Sequence, residues 1–391
     1  MKIVIATPIL FDKSSPFNHL FRDILEGLQK AGHSITRIVA VEDEEDTGYT
    51  MGLTMDYIPV KRKSAAHGNI ITRYITDSLT NWRMARKLKK LGTDVLFEDV
   101  SYSSWMAVRA AKKRGMQVVA MLQDVWPDNA VQSGLIREGS LLYKFFEHFQ
   151  RYVYKRADRL ICISDDMKEF LVSKGVPAER ITVIYNWGYT DQTVDIPRQE
   201  NRFLKEFALD PKMFYAVYAG NIGRMQNVEI VVEAAKLLQA RQDIRFLIIG
   251  GGARLDAIGA LAESYGLENV QFLPMQPSEL AVHIYSAAGV NLIPLVKNGT
   301  RSALPSKTGV VLSCGRPAVF TFGTDSGFAR LLAQNGAGYS VDPEDAEALA
   351  HRIDELSRQK NFDRESVYEM FRTYFVRGKN VDSYVRTIAG E

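Results

Sequence analysis

Apolar residues in the first half of the chain come in short uninterrupted runs, separated by stretches whose apolar positions recur with a helical period. The runs include KIVIATPIL, VLFEDV, QVVAMLQDV and RLICIS, and the stretches between them include NHLFRDILEGLQKAGH and SYSSWMAVRAAKKRG. A strand that is apolar throughout is buried on both faces, and an amphipathic helix can cover one of them. The pattern therefore predicts a parallel sheet with helices on both sides.

A polar stretch without a clear period interrupts this rhythm at 191–203, and the alternation of strands and helices then restarts. We interpret it as a linker between two Rossmann-like α/β domains, 1–190 and 204–375, each a doubly wound parallel sheet. The segment 376–391 has a helical pattern and could pack on either domain or cross back to the first. Two such domains facing a cleft would bind ligands at the carboxyl ends of their strands.

The composition is that of a globular protein, with 46% hydrophobic and 24% charged residues in 391. The apolar start of the chain is broken by Asp12 and Lys13 too early for a secretory signal, so it is predicted to be the first strand. No apolar stretch reaches the roughly 18 residues of a membrane-spanning helix. The two cysteines, Cys162 and Cys314, cannot build a disulfide framework. We therefore expect a soluble, cytoplasmic protein.

Basic residues are concentrated in one part of the chain. The net charge is only +3, but segment 61–114 contains 13 Lys and Arg against 4 Asp and Glu. This excess predicts an anionic partner, and a helix that interleaves basic and apolar residues could make peripheral contact with an anionic membrane. An ordinary surface helix is the alternative. Nucleic acid is not an expected partner, because no known binding module is present. The apolar residues concerned are Ile70, Ile71, Tyr74, Ile75, Leu79, Trp82 and Met84.

Two glycine-containing turns follow strands in the second half of the chain. YAGNIGRMQN contains Gly220 and Gly223, and LIIGGGARL contains Gly251. The backbone N–H groups of such turns can bind a diphosphate, although short glycine turns are also common structural features. Lys307 precedes an apolar helical run, where a cation is unfavourable for the helix dipole. It is therefore a candidate phosphate ligand, with an ordinary surface lysine as the alternative.

Four segments in this order and spacing resemble the donor domain of GT-B glycosyltransferases: YAGNIGRMQNVEIVVEAAKLL, RFLIIGGGARLDAIGALAESYGLENVQFLP, ALPSKTGVVLSCGRPAV and GAGYSVDPEDAEALAHRI. The likeness spans nearly the whole chain and is greatest to the retaining family 4 enzymes, in particular the bacterial subgroup that builds surface polysaccharides, often with aminodeoxysugar donors. It implies a nucleotide-sugar co-substrate and no metal or other cofactor. The donor-binding residues it implies are Gly220, Asn221, Gly223, Arg224, Gly251, Phe272, Leu273, Ser306 and Lys307.

The chain departs from this family pattern in two respects, each at a pair of positions. The family commonly has two glutamates separated by seven residues, and Ser302 and Val310 stand there in this sequence. The second glutamate usually accepts hydrogen bonds from the ribose hydroxyls, so its loss would cost roughly 1.5–3 kcal/mol, or about tenfold to a hundredfold in affinity. The phosphate-binding Arg and Lys of the family are Asn221 and Gln226 here. We interpret Val310 as a sign of altered ribose contact.

The first domain contains candidate catalytic and acceptor-binding residues. Asp124 follows a predicted strand, and a carboxylate at the carboxyl end of a parallel strand points to where ligands bind. Its alternative role is to cap the loop. The resemblance implies that Asp124 orients the acceptor or stabilises oxocarbenium-like charge. It also implies acceptor contacts in the first loop and after Asp124: Ser15, Asn18, His19 and Trp126.

The hypothesis that follows is a retaining glycosyltransferase. It would move a sugar from a nucleoside diphosphate donor, UDP-linked, to a lipid-linked oligosaccharide. The alternatives are a catalytically silent GT-B protein that binds nucleotide or sugar and supports a partner, and a nucleotide-sugar epimerase on the same fold. Val310 and Ser302 favour the silent protein, whereas Asp124 and Lys307 favour the enzyme.

Overall fold

A computed structural model describes residues 1–10, 17–42, 52–62, 70–188, 191–359 and 361–391. Ser15, one of the predicted acceptor contacts, lies outside the described residues. The chain forms two compact units. The first consists of Met1–Val131, Ile136–Tyr185 and Gly378–Glu391, and the second of Gln132–Leu135 and Asn186–Arg377.

The described part of the first unit contains a sheet of seven parallel strands. They are β1 (Lys2–Leu10), β2 (Ser34–Val41), β3 (Asp56–Lys61), β4 (Val95–Asp99), β5 (Gln117–Leu122), β6 (Arg159–Cys162) and β7 (Ile181–Val183). Their spatial order is β3-β2-β1-β4-β5-β6-β7. Every residue of β4 is buried, which agrees with the apolar run predicted there.

Within the described residues, helices connect consecutive strands of this sheet everywhere except between β2 and β3. They are α1 (Phe17–Lys30), α2 (Ile70–Leu88), α3 (Trp105–Lys112), α4 (Asp128–Gln132), α5 (Leu141–Arg156) and α6 (Asp165–Ser173). The side chain of Ser164 caps α6 by accepting a hydrogen bond from the Met167 N–H at 3.1 Å. The serine oxygen thereby satisfies one of the N–H groups in the first turn of α6.

The described part of the second unit contains six parallel strands and eight helices. The strands are β8 (Phe214–Asn221), β9 (Ile244–Gly251), β10 (Val270–Leu273), β11 (Val290–Pro294), β12 (Ala318–Thr321) and β13 (Tyr339–Ser340), in the spatial order β10-β9-β8-β11-β12-β13. The helices are α7 (Arg202–Glu206), α8 (Glu229–Leu237), α9 (Leu255–Ser264), α10 (Ala281–Ala287), α11 (Thr308–Ser313), α12 (Gly327–Asn335), α13 (Ala346–Arg358) and α14 (Arg364–Tyr374). Across the ranges described in both units, none of the helices is long and apolar enough to span a membrane.

The last helix, α15 (Arg377–Ala389), packs on the first unit. A Cβ atom at Gly27 of α1 would lie 2.4 Å from Val381 Cγ1, so the two helices approach closely because glycine stands there. The Asn380 amide donates a hydrogen bond to the Tyr185 carbonyl at 2.8 Å. The ring centroids of Phe97 and Tyr384 are 6.4 Å apart. The side chains of α15 thus pack against the strands and helices of the first unit.

Both sheets confirm the predicted doubly wound parallel architecture. In each sheet the strand order reverses at one point, between β1 and β4 in the first unit and between β8 and β11 in the second. Loops on either side of such a point leave in opposite directions, which opens a crevice at the carboxyl ends of the two strands. These two points are where binding residues are expected.

Candidate functional site

Lys307 lies at the point of the second sheet where the strand order reverses. It comes after β11 and directly before α11, and its side chain reaches the carboxyl end of β8. The Lys307 ammonium group donates a hydrogen bond to the Ala219 carbonyl at 2.6 Å. It also lies 4.1 Å from the centroid of the Tyr218 ring, a cation–π contact. The lysine is thereby fixed over the end of β8.

Gly220 provides the space that Lys307 occupies. Its φ is +144°, and a Cβ atom there would lie 2.5 Å from Lys307 Nζ. Only glycine adopts this backbone conformation without strain. A side chain at position 220 would therefore displace the Lys307 ammonium.

The turn after β9 packs tightly against the turn after β8. Gly250 pairs with Gly220 across the sheet, and its φ is +148°. A Cβ atom at Gly250 would lie 1.9 Å from the Gly220 carbonyl oxygen. A Cβ atom at Gly252 would lie 2.5 Å from the Ile222 carbonyl oxygen. The two turns can therefore lie side by side only with glycine at these positions.

We expect Gly250→Ala to lower the free energy of unfolding by about 2–4 kcal/mol, because it combines a backbone clash with a conformation that alanine avoids. Gly251→Ala is the matched control, since a Cβ atom at Gly251 would meet nothing within 4 Å. Urea unfolding followed by circular dichroism measures both variants. Equal stability of the two would mean that the turns do not pack as described.

Burial leaves Lys307 poorly stabilised as a cation. Desolvation lowers its pKa from the usual range to about 7. Its contacts are a carbonyl and an aromatic ring, and within the described ranges no carboxylate forms an ion pair with it. An anion bound beside Lys307 would supply the missing countercharge and favour the protonated form.

The other predicted donor-binding residues lie around the same edge of the second sheet. The Asn221 amide donates to Gln226 Oε1 at 3.4 Å, and Gly223 lies between them in the turn. Phe272 and Leu273 end β10 and pair with Ile248 and Ile249 of β9, so they lie at the carboxyl edge as well. Arg224 and Ser306 both have exposed side chains.

Val310 and Ser302, which stand where the family commonly has two glutamates, are both buried. Val310 lies in α11, all of whose residues are buried, and a Cβ atom at Gly188 would lie 3.1 Å from the Val310 backbone nitrogen. Ser302 is also buried, and its hydroxyl donates to the Gly299 carbonyl at 3.4 Å. Val310 can accept no hydrogen bond, so a ribose would have to be held by other groups.

Carboxylates gather at the carboxyl ends of β4 and β5 in the first unit. Asp124 follows β5, and burial raises its pKa to about 6 although part of its side chain remains exposed. Asp99 ends β4, and burial, then the charge of Asp124, raise its pKa to about 7. The preceding Glu98 is fully buried, and burial raises its pKa well above the ordinary value. Acids with raised pKa values in one place are a typical mark of a functional site.

The C-terminal helix adds a phenol to this cluster. Tyr384 is buried, and burial raises its pKa, with the charge of Asp99 among the smaller causes. The Tyr384 hydroxyl also lies near Gln123, which directly precedes Asp124, so α15 lies beside the loop that carries the candidate catalytic carboxylate.

The described acceptor contacts follow two different strands of the first sheet, β1 and β5. Asn18 and His19 are half-buried in the first turn of α1, which begins after β1 at the carboxyl edge of the sheet. Trp126 packs against Tyr102 and Phe146, with ring centroids 5.6 and 5.3 Å away. Trp126 thus belongs to an aromatic cluster beside Asp124 in the chain.

Sequence reasoning did not select Asp99, Glu98 or Tyr384. The run VLFEDV contains the first two, and the rule that selected Asp124, a carboxylate at the end of a parallel strand, applies to Asp99 equally. Tyr384 gave no such signal, because its place depends on where the last helix packs.

Two family models match the chain, and their positions agree with these two sheets. The glycosyl transferase 4-like domain matches residues 18–187, and the glycosyl transferases group 1 model matches residues 199–371. Together they cover most of the sequence. The chain belongs to the GT-B glycosyltransferases.

Relatives of this family member include bacterial glycosyltransferases, one of them named for colanic acid biosynthesis. The probable glycosyltransferase WbjE of Pseudomonas aeruginosa is 25% identical over 62% of this chain and 60% of its own length. The putative colanic acid biosynthesis glycosyl transferase WcaI of Escherichia coli is 28% identical over the same shares. The chain therefore matches about three fifths of the length of these relatives.

A solved structure confirms the fold of this family member. Alr3699/HepE of Anabaena, crystallised in complex with UDP, superimposes with a TM-score of 0.73 at 14% identity, and the match covers 100% of both chains. At 14% identity the comparison supports a shared fold and nothing further. The predicted GT-B architecture is confirmed.

Proposed function

We propose that this protein is a retaining glycosyltransferase that moves a sugar from a nucleoside diphosphate donor, UDP-linked, to a lipid-linked oligosaccharide in surface polysaccharide synthesis. The observation that carries the proposal is the Lys307 ammonium, which lies over Gly220 without a carboxylate partner among the described residues. A diphosphate is the anion that suits a lysine beside a glycine turn. The name of WcaI, a putative colanic acid biosynthesis glycosyl transferase, supports the pathway.

In the proposed reaction the second unit binds the donor. Backbone N–H groups of the Gly220–Gly223 turn and the Lys307 ammonium donate hydrogen bonds to the diphosphate and stabilise its negative charge. The bond from the sugar C1 to the phosphate oxygen breaks as the acceptor hydroxyl attacks from the same face. The hydroxyl proton passes to the departing phosphate oxygen. No metal is needed in this proposal, because Lys307 and the turn stabilise the leaving group.

The first unit supplies Asp124 in this proposal. Its carboxylate stabilises the positive charge that develops on the sugar ring, or orients the acceptor hydroxyl, and it forms no bond to the sugar. We also propose that the enzyme acts in the cytoplasm at an anionic membrane surface, where a lipid-linked acceptor is available.

A calorimetric titration with UDP, GDP, dTDP and CMP tests the donor. We expect UDP to bind in the micromolar range and CMP, which lacks the second phosphate, to bind at least tenfold more weakly, since the loss of one charge-assisted contact costs about 1.5–3 kcal/mol. Tighter binding of GDP or dTDP would mean that the donor has a different base, and it would still support the proposed site. If no nucleotide binds at millimolar concentration, the proposed donor site is wrong.

The second candidate is a catalytically silent GT-B protein. The buried Val310 and Ser302 favour it, because neither offers a carboxylate to a donor. Hydrolysis of the bound nucleotide sugar separates the two, since an active transferase slowly passes the sugar to water. Release of UDP from one of a panel of UDP-sugars, abolished in Asp124→Asn, supports the enzyme. Binding without any release supports the silent protein.

A further inference from the structure

Tyr368 of α14 lies where three segments of the second unit meet. A Cβ atom at Gly315, between α11 and β12, would overlap the Tyr368 ring, so the ring packs directly on the glycine. The Tyr368 hydroxyl donates a hydrogen bond to the Val194 carbonyl at 3.1 Å. The Val194 N–H in turn donates to the Ser313 carbonyl at 2.7 Å. The stretch before α7, the end of α11 and the start of α14 are therefore held together at one place.

Each of these three segments contains an arginine close to that contact. We name the three side chains the arginine cluster: Arg198 before α7, Arg316 between α11 and β12, and Arg364 at the start of α14. Arg316 stands two positions before β12, and the Arg198 guanidinium lies 5.6 Å from the ring centroid of Tyr215, the second residue of β8. The cluster is thus at the amino-terminal edge of the sheet. Along β8, roughly 16 Å separate Tyr215 from Gly220 at the proposed donor site.

The arginine cluster has more positive charge than its surroundings neutralise. Arg364 forms an ion pair with Asp195 at 2.9 Å. Within the described ranges neither Arg198 nor Arg316 has a carboxylate partner, and the Nε atoms of both are buried without a hydrogen bond. Asp195 and Asp210 offset part of the charge, but both side chains are exposed. Burial, and then the charge of Arg364, lower the pKa of Arg316.

The donors of the arginine cluster suit an oxyanion. A guanidinium group presents its N–H donors in a planar fork that matches two oxygens of a phosphate or a carboxylate. The Arg198 Nη2 atom donates to the Met213 carbonyl at 2.7 Å, which orients this guanidinium and leaves its Nε donor over. A water molecule could accept such a hydrogen bond but would supply no charge. A phosphate supplies both, because its oxygens are more numerous than those of a carboxylate and its charge is larger.

We infer that the arginine cluster is a second anion site of this protein, and that it binds the phosphate group of a small molecule. The Nε groups of Arg198 and Arg316 donate to the phosphate oxygens, and Arg364 divides its donors between the phosphate and Asp195. The bound group adds a second connection between the segments that Tyr368 already holds together. This inference goes beyond the proposed function and does not depend on it, because the two sites lie at opposite edges of the second sheet.

Calorimetric titration of inorganic phosphate into the full chain, with UDP present in excess, tests the inference. UDP occupies the proposed donor site, so phosphate that still binds reports another site. We expect one equivalent of phosphate to bind, and Arg316→Met to weaken this binding at least tenfold, since it removes a charge-assisted contact. Arg352→Met is the matched control, because Arg352 also lies over an aromatic ring, 4.4 Å from the centroid of Tyr339, but has a carboxylate partner in Glu355. It should bind phosphate as the unmodified protein does.

Thermal unfolding gives a readout that an arginine with a purely structural role would not produce. Without phosphate, Arg316→Met should be at least as stable as the unmodified protein, because it replaces a partly buried cation that has no carboxylate partner with an apolar side chain. Phosphate at about 10 mM should then stabilise the unmodified protein and Arg352→Met but not Arg316→Met, because a ligand that binds only the folded state stabilises it.

Three results would overturn the inference: no binding of phosphate by the unmodified protein, equal binding by Arg316→Met, or binding of a hexaglutamate peptide without binding of phosphate. The last would assign the cluster to an acidic protein partner. Tighter binding of pyrophosphate than of phosphate would identify a diphosphate as the ligand and support the same site. The comparison of Arg316→Met with Arg352→Met holds whether or not UDP binds, so failure of the proposed donor site and failure of this inference are distinguishable.

Discussion

Replacing Lys307 with alanine is expected to weaken the binding of a nucleoside diphosphate about tenfold to a hundredfold. The substitution removes one charge-assisted hydrogen bond, of roughly 1.5–3 kcal/mol, and leaves the turn around Gly220 in place. Calorimetry measures the change. Lys236→Ala is the matched control, because the Lys236 ammonium lies 3.9 Å from the centroid of Tyr265 in a similar cation–π contact away from β8. Equal affinity of Lys307→Ala and the unmodified protein would remove Lys307 from the site.

The same lysine predicts how affinity depends on pH. The pKa of Lys307 is about 7 in the free protein, so the side chain is a cation below pH 7 and increasingly neutral above it. The diphosphate binds the cation, so its affinity should fall as pH rises from 7 to 9. Lys307→Arg should remove this fall, because a guanidinium stays charged. A fall that persists in Lys307→Arg would assign the titration to another group.

Lys307 should make stability change with pH in the opposite direction to affinity. An unfolded lysine titrates near 10.4, so between pH 7 and 10 the unfolded chain binds a proton that folded Lys307 does not hold. The contribution of Lys307 to the free energy of unfolding therefore rises across this range. Lys307→Ala should lack this rise and be at least as stable as the unmodified protein at pH 7. A residue that lowers stability at neutral pH while it favours an anion is typical of a binding site.

The sequence predicted the two sheets because each apolar run is a strand buried on both faces. It could not bring Lys307 to β8, since Ala219 and Lys307 are 88 positions apart and their contact depends on the place of β11 beside β8. The rule that selected Asp124, a carboxylate at the end of a predicted parallel strand, would also have selected Asp99. Periodicity also could not separate Ile75 from Met84, because both are apolar and only the neighbouring elements decide which face of α2 is buried.

Replacing Asp124 with asparagine is expected to lower kcat about 100- to 1,000-fold, the usual effect of removing one group that stabilises a transition-state charge. Asparagine keeps the size of the side chain but carries no charge and replaces one acceptor oxygen with an N–H donor. Nucleotide affinity should be unchanged, because the proposed donor site lies in the second unit. Initial rates at saturating donor, together with the UDP titration, measure both effects. Transfer within threefold of the unmodified rate would mean that the carboxylate is not required.

Stability gives Asp124→Asn a second, independent readout. The pKa values of Asp124 and Asp99 are raised to about 6 and 7, so folding favours their protonated forms. The free energy of unfolding should fall as pH rises from about 4 through 7, the range between the unfolded and folded pKa values. Asp124→Asn should flatten this fall, because it removes one acid and the charge that helps to raise the pKa of Asp99.

Asp128→Asn is the matched control for both readouts. Asp128 forms an ion pair with Lys174 at 2.8 Å, and it accepts a hydrogen bond from the Tyr143 hydroxyl at 3.0 Å. Its loss should lower stability and largely preserve transfer. Loss of transfer in Asp124→Asn with stability kept, and the reverse in Asp128→Asn, would separate the carboxylate that serves the reaction from the one that serves the fold. At neutral pH Asp124 is ionised, although ionisation lowers the free energy of unfolding. This is the behaviour expected of a carboxylate that serves the reaction.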